Sequence, residues 1–97
     1  MPTFIILANW TEEGIKNVKA SPDRLDAAKK LFKDAGAEIK EFYMVMGQHD
    51  MVLITEAPNG ETISQILLAV ASGGAVRTET LRAFTEDEYR KVIAELP

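Results

Sequence analysis

The chain has 97 residues, a formal net charge of −4 and no cysteine, and these numbers exclude several classes of protein. A length near 100 residues holds one domain, so we predict a single domain over residues 1–97. Disulfides, thiolate metal sites and a cysteine nucleophile are excluded, and no basic run exceeds Lys29-Lys30, which argues against nucleic-acid binding. No apolar stretch approaches the ~20 residues that span a bilayer, and no basic segment precedes the first apolar run. We therefore expect a cytoplasmic protein that does not bind membranes.

The first third of the chain predicts a strand and then a helix. Thr3–Asn9 (TFIILAN) is rich in β-branched residues and apolar on both alternating faces, which is typical of a strand buried on two sides. After a polar segment with room for one helical turn, Ser21-Pro22-Asp23 offers an N-cap, a first-turn proline and an acid. A helix is predicted over 22–35. Four residues at helical spacing form its predicted apolar stripe: Leu25, Ala28, Phe32 and Ala35.

The middle of the chain predicts a β-hairpin. Residues 38–46 and 50–56 alternate and contain many β-forming side chains, and Gly47-Gln48-His49 forms a tight connection between them. Pro58-Asn59 then opens a second helix, which Gly73-Gly74 ends. Its predicted buried stripe is strongly apolar: Ile63, Ile66, Leu67, Val70 and Ala71.

The C-terminal segment predicts a fourth strand and a third helix. Residues 76–84 form the strand, and Thr85-Glu86-Asp87-Glu88 is a capping box. The helix that follows carries apolar residues at positions i, i+3, i+4 and i+7: Tyr89, Val92, Ile93 and Leu96.

The order β-α-β-β-α-β-α contains the split βαβ pattern, which predicts a fold class. We expect an α+β, ferredoxin-like βαββαβ fold with a C-terminal helix and an antiparallel sheet of order 4-1-3-2. Both long helices would cover one face of the sheet, although strands one and three are apolar on both faces. An apolar face without cover normally marks an interaction surface. We therefore expect a homodimer through the sheet face, and leave open a higher homo-oligomer.

This topology brings chemically capable residues to one edge of the sheet. The end of strand one, the hairpin and the start of strand four meet there, since strands one and two run opposite to strands three and four. Candidates for ligand binding on this basis are Asn9, Trp10, Tyr43, His49, Asp50 and Arg77. His49, Asp50 and Arg77 are also the candidate catalytic residues. One histidine without spaced carboxylates identifies no metal, and no glycine loop suits a phosphate, so we predict no metal and no cofactor.

Each candidate has an alternative structural role. Asp50 beside a glycine turn would accept hydrogen bonds from backbone N–H groups in that turn, and His49 at a hairpin tip would be solvated. Trp10 at the end of a central strand would belong to the core or to a dimer interface. Arg77 would pair with side chains on the neighbouring strand. Tyr43, with the methionines of the hairpin, would serve packing or line an apolar pocket.

From Gly47 to Tyr89 the chain reads GQHDMVLITEAPNGETISQILLAVASGGAVRTETLRAFTEDEY, which resembles the GYD-domain family of small prokaryotic proteins. The resemblance extends upstream through WTEEGIKNVKASPDR. Matching residues in that segment are Thr11, Gly14, Ser21, Pro22 and Arg24. Gly47 and Asp50 correspond to the family's Gly-Tyr-Asp signature, with His49 at the aromatic position. The resemblance implies the dimeric α/β-barrel type of ferredoxin-like fold and selects no activity.

Three functions compete on this evidence. The first is a dimeric module that binds a small, partly apolar molecule between sheet and helices or within the barrel. The second is a cofactor-independent oxygenase or isomerase, in which Asn9 and Trp10 position an aromatic substrate, His49 or Asp50 is the base, and Arg77 stabilises an enolate. The third is a purely structural or protein-interaction role. The sequence does not decide whether the protein is an enzyme.

Overall fold

One antiparallel sheet of four strands, with four helices, makes up the chain. A computed structural model describes residues 1–97. The elements are β1 (Thr3–Trp10), α1 (Glu12–Lys16), a 3₁₀ turn (Val18–Ala20), α2 (Ser21–Asp34), β2 (Glu38–Met44), β3 (Met51–Glu56), α3 (Gly60–Ser72), β4 (Val76–Ala83) and α4 (Glu86–Ala94). The predicted α+β class with an antiparallel sheet is confirmed. No helix combines the length and the apolar character that crossing a membrane requires.

The strands lie in the order β2-β3-β1-β4, which runs 4-1-3-2 when read from the β4 edge. In β1, Phe4, Ile6 and Ala8 are buried, whereas Ile5 and Leu7 on the opposite face are half-buried. Successive side chains of a strand point to opposite faces, so the first set lies against the helices and the second on the other side. We call this second side the open face. Registers with β3 and β4 add further residues to the open face: Val52, Ile54, Arg77, Glu79 and Leu81.

The two long helices contribute unequally to the core. From α3, Ile63, Ile66 and Leu67 are buried against β1, but Phe32 is the only buried residue of α2. The predicted α2 stripe is therefore wrong in part: Leu25 and Ala28 are half-buried, and Ala35 is an exposed C-cap. The reason is that α2 does not close fully onto the sheet, and a cavity separates the two.

The start of α2 differs from the prediction by one residue. Ser21 lies inside the helix with φ −56° and ψ −42°, and Ala20 is the N-cap without a side-chain hydrogen bond. The 3₁₀ turn before it runs directly into α2, so Ser21 is already helical and its hydroxyl does not cap the helix.

The C-terminal helix α4 projects from the rest of the chain. It makes no substantial packing contact with another helix or strand, and none of its residues is buried. The radius of gyration is 14.6 Å, against about 12.5 Å for a compact domain of this length. The chain exposes 6708 Å², roughly 1,200 Å² more than the ~5,500 Å² expected for a monomer of 10.7 kDa. Apolar surface that a compact monomer would bury is therefore left uncovered.

The N-terminus of α4 is held by a capping box that responds to pH. The Glu88 carboxylate accepts the backbone N–H of Thr85 at 2.9 Å, and the Glu88 N–H donates to the Thr85 hydroxyl at 3.2 Å. That backbone N–H, with a smaller contribution from Arg82, holds the pKa of Glu88 below its ordinary value of 4.5. A carboxyl whose pKa is lowered by folding stabilises the folded form above its unfolded pKa, and this stabilisation is lost as pH falls through the lower value.

We therefore expect α4 to lose helicity as the pH falls below the ordinary carboxyl value of 4.5. The ¹³Cα chemical shifts of residues 86–94 measure this directly. In Glu88→Gln the acid-induced loss should be smaller, because the amide oxygen still accepts a hydrogen bond but does not titrate. An equal loss in the wild type and the variant would show that other groups control the helix.

Candidate functional site

A cavity of about 600 Å³ lies between α2 and the helix-covered face of the sheet. Residues of β1, β2, β3 and β4 form its floor, and α2 forms one wall. The 3₁₀ turn, the C-terminal part of α3 and the loop after α3 contribute the rest. The walls are mostly hydrophobic side chains, among them Trp10, Leu25, Phe42, Met44, Met51 and Val70. Polar side chains in the lining are few: Ser21, Arg24 and Thr78. The cavity is therefore chemically suited to an apolar guest.

Trp10 connects the cavity with the edge of the sheet. It is the last residue of β1, and its backbone N–H donates to the Asp50 carboxylate at 3.0 Å. Its indole lines the cavity, and the indole Nε1 is shielded from water without a hydrogen-bond acceptor in the chain. Buried donors of this kind usually have a partner. This nitrogen is the one buried side-chain nitrogen or oxygen of the chain that has no hydrogen-bond partner.

A second group of polar residues lies at the edge of the open face. The Asn9 side-chain N–H donates to the carbonyl oxygen of Gln48 at 2.9 Å, which places its Oδ1 toward His49 Nδ1, also at 2.9 Å. Since Oδ1 can only accept, Nδ1 of His49 carries a proton. His49 Nε2 lies 4.0 Å from Glu79 Oε1, and Arg77 is opposite Asn9 in the β1–β4 register. We call these residues the edge cluster.

The cavity and the edge cluster are two separate places. Asn9 and Trp10 are neighbours in a strand, so their side chains point to opposite faces of the sheet. Of the six candidate ligand-binding residues, Trp10 alone lines the cavity. Tyr43 is 54% exposed and lies opposite Val52, on the open face. The Asp50 carboxylate accepts the backbone N–H of Trp10 in β1, a partner outside the glycine turn that was considered for it.

Sequence reasoning missed the part that α2 plays in the site. Ala27, Ala28 and Leu31 line the cavity together with Leu25, and Thr78 of β4 faces it beside Ala8. The sequence does contain a signal for this. Small side chains, Ala27 and Ala28, occupy α2 positions where larger side chains would fill the space against the sheet. No three histidine, aspartate or glutamate side chains are grouped as a metal site requires.

Comparison with known proteins agrees with this architecture. The profile of the GYD domain matches residues 4–93. A Thermus thermophilus protein named glutamine synthetase and cystathionine beta-lyase binding protein is 36% identical over 84 residues, which cover 86% of this chain and 88% of that protein.

Two solved structures share the fold. TTHA0845 from Thermus thermophilus superposes with a TM-score of 0.56 at 24% identity, over 88% of this chain and 95% of that one. The feast or famine regulatory protein Rv3291c from M. tuberculosis, solved in complex with L-methionine, gives a TM-score of 0.63 at 17% identity, over 90% of this chain and 54% of that one. The resemblance noted around Gly47–Tyr89 is confirmed by the profile, and because that profile spans nearly the whole sequence, the chain belongs to the GYD domain family.

Proposed function

We propose that this protein is a small-molecule-binding module whose binding site is the cavity between α2 and the sheet. The observation that carries the proposal is the cavity itself, at about 600 Å³ with hydrophobic walls. Pockets that hold small molecules measure roughly 300 to 1,000 Å³ and combine apolar walls with few polar groups. Both properties are present, and the lining comes from seven different elements.

The size of the hydrophobic core supports the same proposal. Only 12 of 97 residues are buried, so the domain would gain stability from any further burial of apolar surface. Larger side chains at Ala27 or Ala28 would fill the cavity at no cost in helix geometry. The unfilled cavity lowers the stability of a short chain. Its presence therefore favours a functional role for the cavity.

The test is a variant that fills the cavity, with a matched control. Ala28→Phe places a phenyl ring in the cavity, whereas Ala35→Phe makes the same change at an exposed position outside it. We expect native mass spectrometry of the protein from its own host to show a small-molecule adduct on the wild type and Ala35→Phe. Ala28→Phe should lose at least ~90% of the adduct, because the ring occupies its volume. Equal occupancy in all three proteins, or none in any, would contradict the proposal.

We propose as a second function that the open face binds a second copy of the chain. The excess of roughly 1,200 Å² of exposed surface compares with the ~800 Å² that each partner buries in a standard interface. Helix α4 has nine residues, and isolated helices below about 12 residues are marginal in water. Its exposed apolar side chains, such as Tyr89 and Val92, therefore favour packing of α4 against another molecule.

Charge on the open face suits a two-fold partner. Arg77 and Glu79 are two residues apart on β4, beside the apolar strip formed by Leu7 and Ile54. In a two-fold interface the same patch meets itself, so an arginine of one copy can approach a glutamate of the other. The Thermus thermophilus relative is named as a binding protein for two enzymes, which supports protein binding as a use of this domain. The molar mass in solution decides whether this chain assembles.

The oxygenase or isomerase alternative gains no support from the geometry. It requires the base and the enolate-stabilising group to face an enclosed cavity beside Trp10. His49, Asp50 and Arg77 all lie outside the cavity lining. We therefore do not propose it.

A further inference from the structure

The wall that α2 contributes to the cavity is polar at one end and apolar at the other. The α2 residues of the lining recur at helical spacing, and the two polar ones, Ser21 and Arg24, both lie in the first turn. The lining continues through apolar side chains to Leu31 and Phe32 in the last turn. At a rise of about 1.5 Å per residue, Arg24 and Leu31 are about 10 Å apart along the helix axis. A ligand that matches this wall has a polar end and an apolar body.

Two hydrogen bonds locate the guanidinium of Arg24 at the polar end. It donates to the carbonyl oxygens of Asn17 at 3.2 Å and Gly14 at 3.4 Å. Gly14 lies directly against Ala75, and both Ala75 and Val18, the neighbour of Asn17, line the cavity. Arg24 is only half-buried, and its bond to Asn17 is exposed. The guanidinium is therefore accessible at the border of the cavity.

Arg24 has no counter-ion in the chain. Of the 15 acidic residues, none forms a salt bridge with Arg24, and no aspartate or glutamate lines the cavity. The two carbonyl oxygens occupy two of the five N–H donors of a guanidinium, so three are free for a ligand. A cationic ligand would meet a like charge and no counter-charge there. The polar end therefore favours an anion.

We infer that the cavity selects an amphipathic monocarboxylate, whose carboxylate accepts hydrogen bonds from Arg24 and whose hydrocarbon body extends along α2 toward Leu31. The inference rests on the proposed small-molecule function and narrows it to a ligand class. Arginine binds carboxylates through charge-assisted hydrogen bonds, and the Ser21 hydroxyl in the same turn is a further donor. One guanidinium balances one negative charge, which favours a carboxylate over a phosphate monoester of about −1.5 to −2. The hydrophobic walls supply most of the buried area.

Three probes with chains of equal length test the inference. Octanoate carries a carboxylate, octan-1-ol is uncharged, and octylammonium carries a positive charge. Trp10 lines the cavity and is the single tryptophan of the chain, so its fluorescence reports binding there. At neutral pH we expect octanoate to bind roughly tenfold more tightly than octan-1-ol, the ratio of one charge-assisted hydrogen bond. Octylammonium should bind more weakly than octan-1-ol.

Substitutions in α2 separate the charge of Arg24 from the shape of the cavity. Arg24→Gln should bring the octanoate-to-octanol ratio to about one, whereas Arg24→Lys keeps the charge and should retain part of the ratio. Lys29→Gln is the matched control, because it removes a positive charge from an exposed α2 position outside the lining. It should keep the wild-type ratio. Octan-1-ol should bind all three variants like the wild type, and Ala28→Phe should abolish the binding of every probe.

The outcomes distinguish this inference from the proposed function. Equal binding of octanoate and octan-1-ol to the wild type, or a ratio that Arg24→Gln leaves unchanged, would overturn the role of Arg24 and leave the cavity as a binding site. Tighter binding of octylammonium than of octan-1-ol would overturn the assignment of an anion. If no probe binds while the wild type from its own host carries an adduct, the ligand class is wrong and the proposed function stands. Absence of both probe binding and adduct contradicts both.

Discussion

Replacing Gly14 with alanine is expected to lower the free energy of unfolding by roughly 3 kcal/mol, because the new Cβ has no room. It would overlap the carbonyl oxygen of Ala75 and lie 2.8 Å from the carbonyl carbon. Both are backbone atoms, so no side-chain rotation relieves the contact. For a domain of this size, roughly 3 kcal/mol corresponds to a fall in Tm of roughly 12 to 24 °C.

The contact is close because two hydrogen bonds from Thr11, the N-cap of α1, hold this helix against the residues just before β4. The Thr11 N–H donates to the carbonyl oxygen of Ala75 at 3.0 Å, and the Thr11 hydroxyl donates to that of Gly74 at 2.6 Å. The Gly14 N–H in turn donates to the Thr11 hydroxyl at 3.1 Å. Alanine at this position would force α1 away and stretch the two bonds from Thr11 to Gly74 and Ala75.

Chemical denaturation of Gly14→Ala measures this effect, and Gly60→Ala is the matched control. Gly60 opens α3, and a Cβ there would meet no atom within 4 Å. Alanine should therefore be neutral or stabilise by about 0.5 kcal/mol, since it reduces the freedom of the unfolded chain. Similar stabilities for the wild type and Gly14→Ala would show that α1 is not docked as described.

Replacing Leu81 with arginine is expected to dissociate the proposed homodimer. Leu81 is 40% exposed and pairs with Ile5 on the open face, in the edge strand β4. An unpaired charge buried in an interface costs several kcal/mol, which would raise the dissociation constant by more than about 100-fold. Light scattering should give twice the chain mass of 10.7 kDa for the wild type and the chain mass for the variant.

Leu68→Arg is the control for this experiment. Leu68 is 71% exposed on α3, on the far side of the sheet from Leu81, and its variant should assemble like the wild type. A monomeric wild type, or dissociation of both variants, would contradict an interface on the open face.

The sequence was sufficient for the elements and their order because each has a local physical cause. A run of β-branched residues identified β1, alternation identified the hairpin, Gly73 marked the end of α3, and the capping box at Thr85 placed α4. The distance between α2 and the sheet has no such local cause. A stripe such as Leu25 and Ala28 shows which face of a helix is apolar, but not how closely it meets the sheet, which depends on side chains from several distant segments.

The site was predicted less well for a simple geometric reason. Topology brings Asn9, Trp10 and His49 to one edge, and they do lie there. Strand alternation, however, sends Asn9 and Trp10 to opposite faces, so one ligand cannot contact both side chains. The alternation of side chains along a strand follows from the sequence alone, and it would have assigned Asn9 and Trp10 to different faces of the sheet. The unpaired Nε1 of Trp10 was not available, because hydrogen-bond satisfaction depends on the folded surroundings.

The unequal packing of the two long helices separates the requirements of folding from those of recognition. Three buried residues of α3 hold the core, while α2 contributes Phe32 and otherwise borders the cavity. Substitutions at α2 positions such as Leu25 or Ala28 should reshape the cavity at little cost in folding free energy, since these side chains are only half-buried. Over evolutionary time α2 can thus diversify while α3 and the sheet are constrained, so that one scaffold can acquire new ligands through a single helix.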